Sequence, residues 1–236
     1  MDENQIKDGI KAALPIVLGY LPVGVAFGVL ARKAGLTPLE AGSMSFLVYA
    51  GASQFIAVEM ISSGISLVPI ILMTFFINLR HLLMSSTVSL YFNNHSLRTL
   101  GLLSAQLTDE SFAVAMADPS KITNRPRYLF ALQMTSQLAW ISGSVAGALF
   151  GSFIKRSAYG IPFALPALFI CLVVLQLKSK IHFVVMGLAG IFSLLFKGLL
   201  PGNWYIITAA LAASIAGLTL TLSSLKGKRK YRDQSE

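Results

Sequence analysis

The sequence predicts an all-α, polytopic integral membrane protein of about seven transmembrane helices, eight being the alternative, with broken helices or a re-entrant segment. Composition is the first reason. Of 236 residues, 55% are hydrophobic and only 12% charged, with a mean hydropathy of +0.69; that is about half the charged fraction of a soluble domain. The second reason is patterning: runs 12–31, 41–58, 60–79, 128–154, 157–177 and 198–225 contain no Asp, Glu, Lys or Arg, and one crossing needs about 20 apolar residues. The third is a set of polar residues inside those runs. They are costly in hydrocarbon unless they face protein or water.

The organising stretch is Phe46-Leu-Val-Tyr-Ala-Gly-Ala-Ser-Gln-Phe-Ile-Ala-Val-Glu59. Gly51, Ala52, Ser53 and Gln54 stand where lipid would favour Leu or Ile, and Glu59 adds a carboxylate. A kink among such small residues frees backbone amides and carbonyls, which is how transporter sites are commonly built.

The other segments follow in order. Residues 1–11 form a polar, interfacial start, and the first span, about 12–31, contains Pro15 and Pro22. Proline near mid-span removes a backbone hydrogen bond and kinks a helix, so a kink is expected at Pro22, with helix packing alone and a break that lines a pathway as the two readings of the segment. Gly24 and Gly28 have the GxxxG spacing that admits close helix packing. After a turn at Gly35-Leu-Thr-Pro38, with Thr37 as N-cap, span two covers 39–62 and span three about 66–90. Residues 98–117 hold Thr108-Asp-Glu110, too polar for a lipid-facing span, and suit a re-entrant or broken segment. Spans over 128–154, 160–177, 181–197 and 203–224 complete the chain. The whole reads as one transporter domain: a polar-site half at 12–127, a scaffold and partner half at 128–224, and a basic tail at 225–236. Cys171, the only cysteine, reads as a small apolar filler.

The net charge of +9 sits in short loops and in the tail cluster Lys226, Lys228, Arg229, Lys230 and Arg232. That is the distribution of a cytoplasmic tail beside anionic lipid, not of a nucleic-acid binder. With seven spans and a cytoplasmic C-terminus, Lys7 and Lys11 fall outside; with eight, they fall inside. The charge rule barely separates the two.

Depth arithmetic brings the polar residues together. Counting at 1.5 Å per residue from the turn near 64–65, Gly51 and Asn78 each lie about 20 Å away and are level with one another. Pro22 sits near the middle of the first span. Glu59 and Arg80 differ by about 15 Å in depth, so Arg80 is expected to meet Asp109, Glu110 or a substrate carboxylate instead. His81, Glu59, Asp109 and Glu110 are the candidates for proton coupling. No metal or cofactor is expected.

Four runs carry a resemblance: Pro22-x-Gly-x-Ala-Phe-Gly28, Tyr49-Ala-Gly-Ala-Ser-Gln-Phe55, Asn78-Leu-Arg-His81 and Thr108-Asp-Glu110. Together they resemble the AzlC/YgaZ family of branched-chain amino-acid permeases, its Bacillus members above all. The resemblance implies secondary export of leucine, isoleucine and valine across the cytoplasmic membrane, with a small AzlD-type membrane partner. A zwitterionic substrate needs donors, acceptors and an apolar pocket. Amides near Gly51–Ser53 with Arg80 or Gln54 suit its carboxylate. Carbonyls near Pro22 and Gly24, with Gln54 and Asn78, suit its ammonium. Phe27, Tyr49 and Phe55 suit its side chain.

Other classes are weaker. No HExxH helix, GxSxG elbow or Gly-rich phosphate loop supports an enzyme. An importer, or a scaffold subunit that transports nothing, remains the alternative.

Overall fold

The computed structural model describes residues 2–92, 95–151, 180–199 and 204–232, with isolated positions between 153 and 177. Among the described residues the regular structure is entirely helical, in two compact units divided at residues 169 and 170. The expected span at 160–177 lies largely, and Cys171 entirely, outside the described residues.

The first unit begins with α1 (Asp2–Lys33), α2 (Pro38–Leu47), α3 (Gly51–Ser62) and α4 (Leu67–Ser89). It continues with α5 (Leu97–Ala105), α6 (Asp109–Ala117), a 3₁₀ turn (Pro119–Lys121) and α7 (Pro126–Phe150). α1 differs from expectation. It absorbs the polar start and runs unbroken through Pro15 and Pro22. Both prolines are exposed and lie seven residues apart, on one outward face, while the opposite face is clamped to α7. The hydrogen bonds they remove are lost from the side away from the packing.

That clamp is backbone against backbone. A Cβ on Gly28 would come within 2.0 Å of the Ser144 carbonyl, and one on Gly147 within 2.1 Å of the Val25 carbonyl. Only glycine permits this approach. The contacts also give direction: Gly9 lies against Tyr128, Gly24 against Trp140 and Gly143, and Gly28 against Ser144. α1 and α7 therefore run parallel.

The second expected span is not one continuous helix. α2 runs against α7, since Gly42 approaches Val145, Ser45 bonds Ser144 and the Phe46 carbonyl accepts from Gln137. α3 runs with α1, since Tyr49 packs on Tyr20 and Phe55 on Phe27. The chain turns back at residues 48–50, where Tyr49 holds φ 42°, a conformation that costs a non-glycine residue about 1–2 kcal/mol. Helices of 10 and 12 residues are each about 15–18 Å long, half a bilayer.

A second hairpin enters from the other end. α4 finishes beside the start of α1: the Tyr91 carbonyl accepts from the Asn124 amide, and Arg125 of the same loop pairs with Asp8 at 2.9 Å. α5 leaves this end and runs with α7, its Leu103 carbonyl accepting from Gln133 and Gln106 bonding Gln137. α6 then returns to the loop that holds Asn124. Residues 97–117 are thus re-entrant, as their polarity predicts. Three long helices, α1, α4 and α7, frame two half-length hairpins that enter from opposite ends.

The second unit contains α8 (Lys180–Lys197) and α9 (Trp204–Arg232) among its described residues. They pack on each other, with Gly217 of α9 directly under Val185 of α8. α1, α4 and α8 are long and apolar enough to cross a membrane. The protein is an all-α membrane protein, and the basic tail expected at 225–236 continues α9 as far as Arg232.

Candidate functional site

The tips of the two hairpins meet at mid-molecule. Tyr20, about 18 Å from Asp8 and about 20 Å from Lys33 along α1, touches both. Its ring meets Tyr49 of the first tip edge-on at 6.5 Å, and its hydroxyl donates to Glu110 Oε2 of the second at 2.6 Å. The same hydroxyl lies 2.9 Å from Thr108 Oγ1.

α7 supplies a polar stripe behind the first tip. Gln133, Gln137, Trp140 and Ser144 follow helical spacing along one face and are all buried. The Trp140 indole N–H donates to Gln54 Oε1 at 3.0 Å, and Gln54 Nε2 donates to Ser45 Oγ at 3.1 Å. Ser45 donates to Ser144 at 2.8 Å. This chain ties α2 to α3 across the turn. Gln137 caps the Phe46 carbonyl, which the end of α2 would otherwise leave without a partner. Gly51 lets the tip lie flat on Trp140, whose ring is 3.1 Å from where a Cβ would stand.

The N-terminus of α3 is left open. Ala50, its N-cap, offers no side-chain hydrogen bond, and the first turn has no acidic residue. The amides of Gly51, Ala52 and Ser53 begin the helix there, at its positive end. α6 is the opposite case. Thr108 and Ser111 form a reciprocal cap, and Asp109 and Glu110 occupy the first turn.

α4 closes the site. Asn78 Nδ2 donates to Ser53 Oγ at 3.2 Å, so the depth match between these segments holds. Arg80 pairs with Asp109 at 2.8 Å, one of the three partners expected of it. Buried polar atoms without a partner gather here: Tyr49 Oη, Asn78 Oδ1, Arg80 Nε and His81 Nε2. Phe27, Phe55 and Trp140 form an aromatic wall, with ring centroids 5.6–6.4 Å apart.

The structure therefore gathers Phe27, Tyr49, Gly51, Ser53, Gln54, Asn78, Arg80, Asp109 and Glu110. His81 is half-buried beside Arg80. Three candidates stand apart. Pro22 is exposed on the outer face of α1, which has no break there. Gly24 is spent on packing against α7. Glu59 is exposed in the last turn of α3, eight residues past the tip. Gln54 has both amide atoms engaged inside the protein. The expected boundary at residue 127 also moves, because α7 belongs with the site. Tyr20 and Trp140 were missed. The α7 stripe was the available signal for Trp140; Tyr20 had none. An apolar groove of about 630 Å³ between α1, α5 and α7, lined by Ile10, Leu102, Leu103, Phe130 and Met134, reaches the second tip, where Gln106 donates to Met134 Sδ.

Comparison with known proteins identifies the family. The family model described as AzlC protein matches residues 15–154, which include both hairpins and α7. An uncharacterized membrane protein of Archaeoglobus fulgidus is 35% identical over 89% of this chain and 92% of its own length. The inner membrane protein YgaZ of Escherichia coli is 31% identical over 90% and 81%. The branched-chain amino acid transport protein AzlC of Bacillus subtilis is 28% identical over 84% and 78%. At that identity the Bacillus protein is a distant relative, not the near match that the resemblance suggested. No solved structure matches. On the extent of the family match and the identity to these relatives, the chain belongs to the AzlC family.

Proposed function

We propose that this protein is a secondary transporter that exports branched-chain amino acids across the cytoplasmic membrane, together with a small AzlD-type membrane partner. The observation that carries the reading is the opposition of the two tips: an uncapped helix N-terminus faces a capped one that bears two acids. A zwitterion matches that polarity. Its carboxylate would take the amides of Gly51, Ala52 and Ser53, the use to which broken transporter helices put their positive ends. Phe27, Phe55 and Trp140 suit a branched aliphatic side chain. The relative named as a branched-chain amino acid transport protein supports the substrate class.

Hairpins that enter from opposite ends suit alternating access, each tip withdrawing in turn to open one side. Basic residues orient the first unit. Lys7, Lys11, Arg98, Lys121, Arg125 and Arg127 lie at the end where α1 begins, against Arg32 and Lys33 at the other, so the α1 N-terminal end is assigned to the cytoplasm. The basic end of α9 is assigned there by its own charge. Export, rather than import, follows the family resemblance. Proton coupling through Asp109, Glu110 or His81 belongs to this reading, and transport indifferent to a collapsed pH gradient would remove it.

The test is leucine efflux from cells preloaded with a leucine-containing dipeptide. Faster efflux from cells carrying this chain and its small partner, reduced about 100-fold or more by Arg80→Ala at equal membrane abundance, is the expected result. The magnitude follows from leaving Asp109 without its cation. Efflux unchanged by the wild-type pair counts against export; leucine uptake in the same cells would then favour an importer.

A further inference from the structure

Resting on the amino-acid reading above, we infer that Glu110, with the hydroxyl of Tyr49 and the rings of Tyr20 and Tyr49, is the binding site for the substrate's primary ammonium group.

Charge balance at the second tip is the first observation. Two carboxylates, Asp109 and Glu110, share one guanidinium, and Arg80 is committed to Asp109 at 2.8 Å. Among the described residues no Lys, Arg or His lies within ion-pair distance of Glu110; its side-chain partner is the neutral hydroxyl of Tyr20. Glu110 thus has no ion-pair partner of its own, although Arg80 and His81 lie within longer electrostatic range of it; a partly buried carboxylate without a paired cation is costly. A ligand cation relieves it.

The second observation is independent of charge. Tyr49 is 4% exposed, and its hydroxyl makes no hydrogen bond of good geometry, its nearby polar neighbour being the Tyr20 hydroxyl, although a buried hydroxyl ordinarily has a full partner. The strained backbone of the first tip holds this ring edge-on to Tyr20 and within electrostatic range of Glu110. Tyr20, which donates to Glu110 and meets the Tyr49 ring edge-on, joins that carboxylate to the first tip. A primary ammonium carries three donors, and Glu110 and Tyr49 offer acceptors from opposite tips. Tyr20 and Trp140, with centroids 5.3 Å apart, continue an aromatic wall of the kind that attracts cations.

The geometry also explains why an α-amino acid fits and a simple amine does not fill the site. Tyr49 is two residues before Gly51, so the ammonium site adjoins the open amides of α3. One small molecule bearing both charged groups on a single carbon bridges the tips.

The deciding experiment is leucine counterflow in cells that express the chain with its small partner, since exchange requires no net ion movement. Two competitors divide the substrate: 3-methylbutylamine is leucine without its carboxylate, and 4-methylpentanoate is leucine without its ammonium. Glu110→Gln is expected to raise half-saturating leucine about 10- to 100-fold, the scale of a lost charge-assisted hydrogen bond. It should abolish competition by the amine and keep competition by the acid, with Glu110→Asp restoring part of both. Unchanged leucine affinity and amine competition in Glu110→Gln would overturn the inference. If that variant does not reach the membrane, Tyr49→Phe decides: weakened amine competition with intact acid competition supports the site, and unaltered amine competition overturns it. A wild-type pair that exchanges no leucine overturns the amino-acid reading itself, which is a distinguishable result.

Discussion

The two hairpin tips are built from similar parts and finished differently. Each joins two helices of 9–12 residues through a three-residue turn. The second tip caps its own helix: Thr108 and Ser111 close α6, Asp109 holds Arg80, and Tyr20 donates to Glu110, which has no ion pair. The first tip is satisfied only behind, where Gln54, Ser45, Ser144, Trp140 and Gln137 fasten it to α7. Its front keeps helix amides without a cap, a tyrosine hydroxyl without a full partner and a backbone strained at Tyr49. Fixed behind and uncapped in front, the first tip has the form that a preorganised binding element requires. On the function proposed above, the difference matches the anionic end of a ligand to the first tip and the cationic end to the second.

The comparison presumes that both hairpins return to the side from which they came, and this has an all-or-none test. In a Cys171→Ser background, Leu39→Cys and Ser63→Cys should react with an impermeant thiol reagent from one side of the membrane, and Lys121→Cys only from the other. Labelling of Leu39→Cys and Ser63→Cys from opposite sides would make 38–62 a crossing and dissolve the symmetry of the tips.

A smaller effect is expected from finishing the open tip. Ala50→Ser gives α3 the side-chain cap that α6 already has. Capping is worth about 0.5–2 kcal/mol, so thermal stability of the empty protein should rise by a few degrees at most. Leucine affinity should fall about two- to tenfold, because the hydroxyl occupies amides meant for a carboxylate. Greater stability with unaltered affinity would place the carboxylate elsewhere.

The smallest effect is the converse. Thr108→Ala removes the cap of α6 and a partner of the Tyr20 hydroxyl, costing about 1 kcal/mol of stability. Transport by the surviving protein should change by no more than about threefold, since the α6 amides take no part in binding. A large loss of transport at normal abundance would make the tips functionally alike.

Much of the site was legible before any fold was known. Small and amide residues in a hydrophobic run carry a desolvation penalty that only an internal surface removes, so Gly51, Ser53 and Gln54 declared themselves. Asn78 could be levelled with them because both distances run from one turn, and that arithmetic holds whether α2–α3 crosses or returns. Arg80 found Asp109 for the same reason of depth. Pro22 misled, because a proline's cost depends on which face it occupies and what holds the other. Glycines 24 and 28 were read for close approach, but only α7's own Gly143 and Gly147 made that approach backbone to backbone.

By itself, then, the sequence determined that the chain is helical, lies in a membrane and buries a polar cluster at mid-depth. Those properties follow from composition and local spacing, which the bilayer reads one segment at a time. The tertiary structure alone decided that 38–62 turns back, that α7 belongs to the site, and that Tyr20 stands between the tips. Hydropathy is the same for one helix of full length as for two of half length. The choice between them rests on contacts between residues 90 and 99 positions apart, Tyr20 with Glu110 and Ser45 with Ser144.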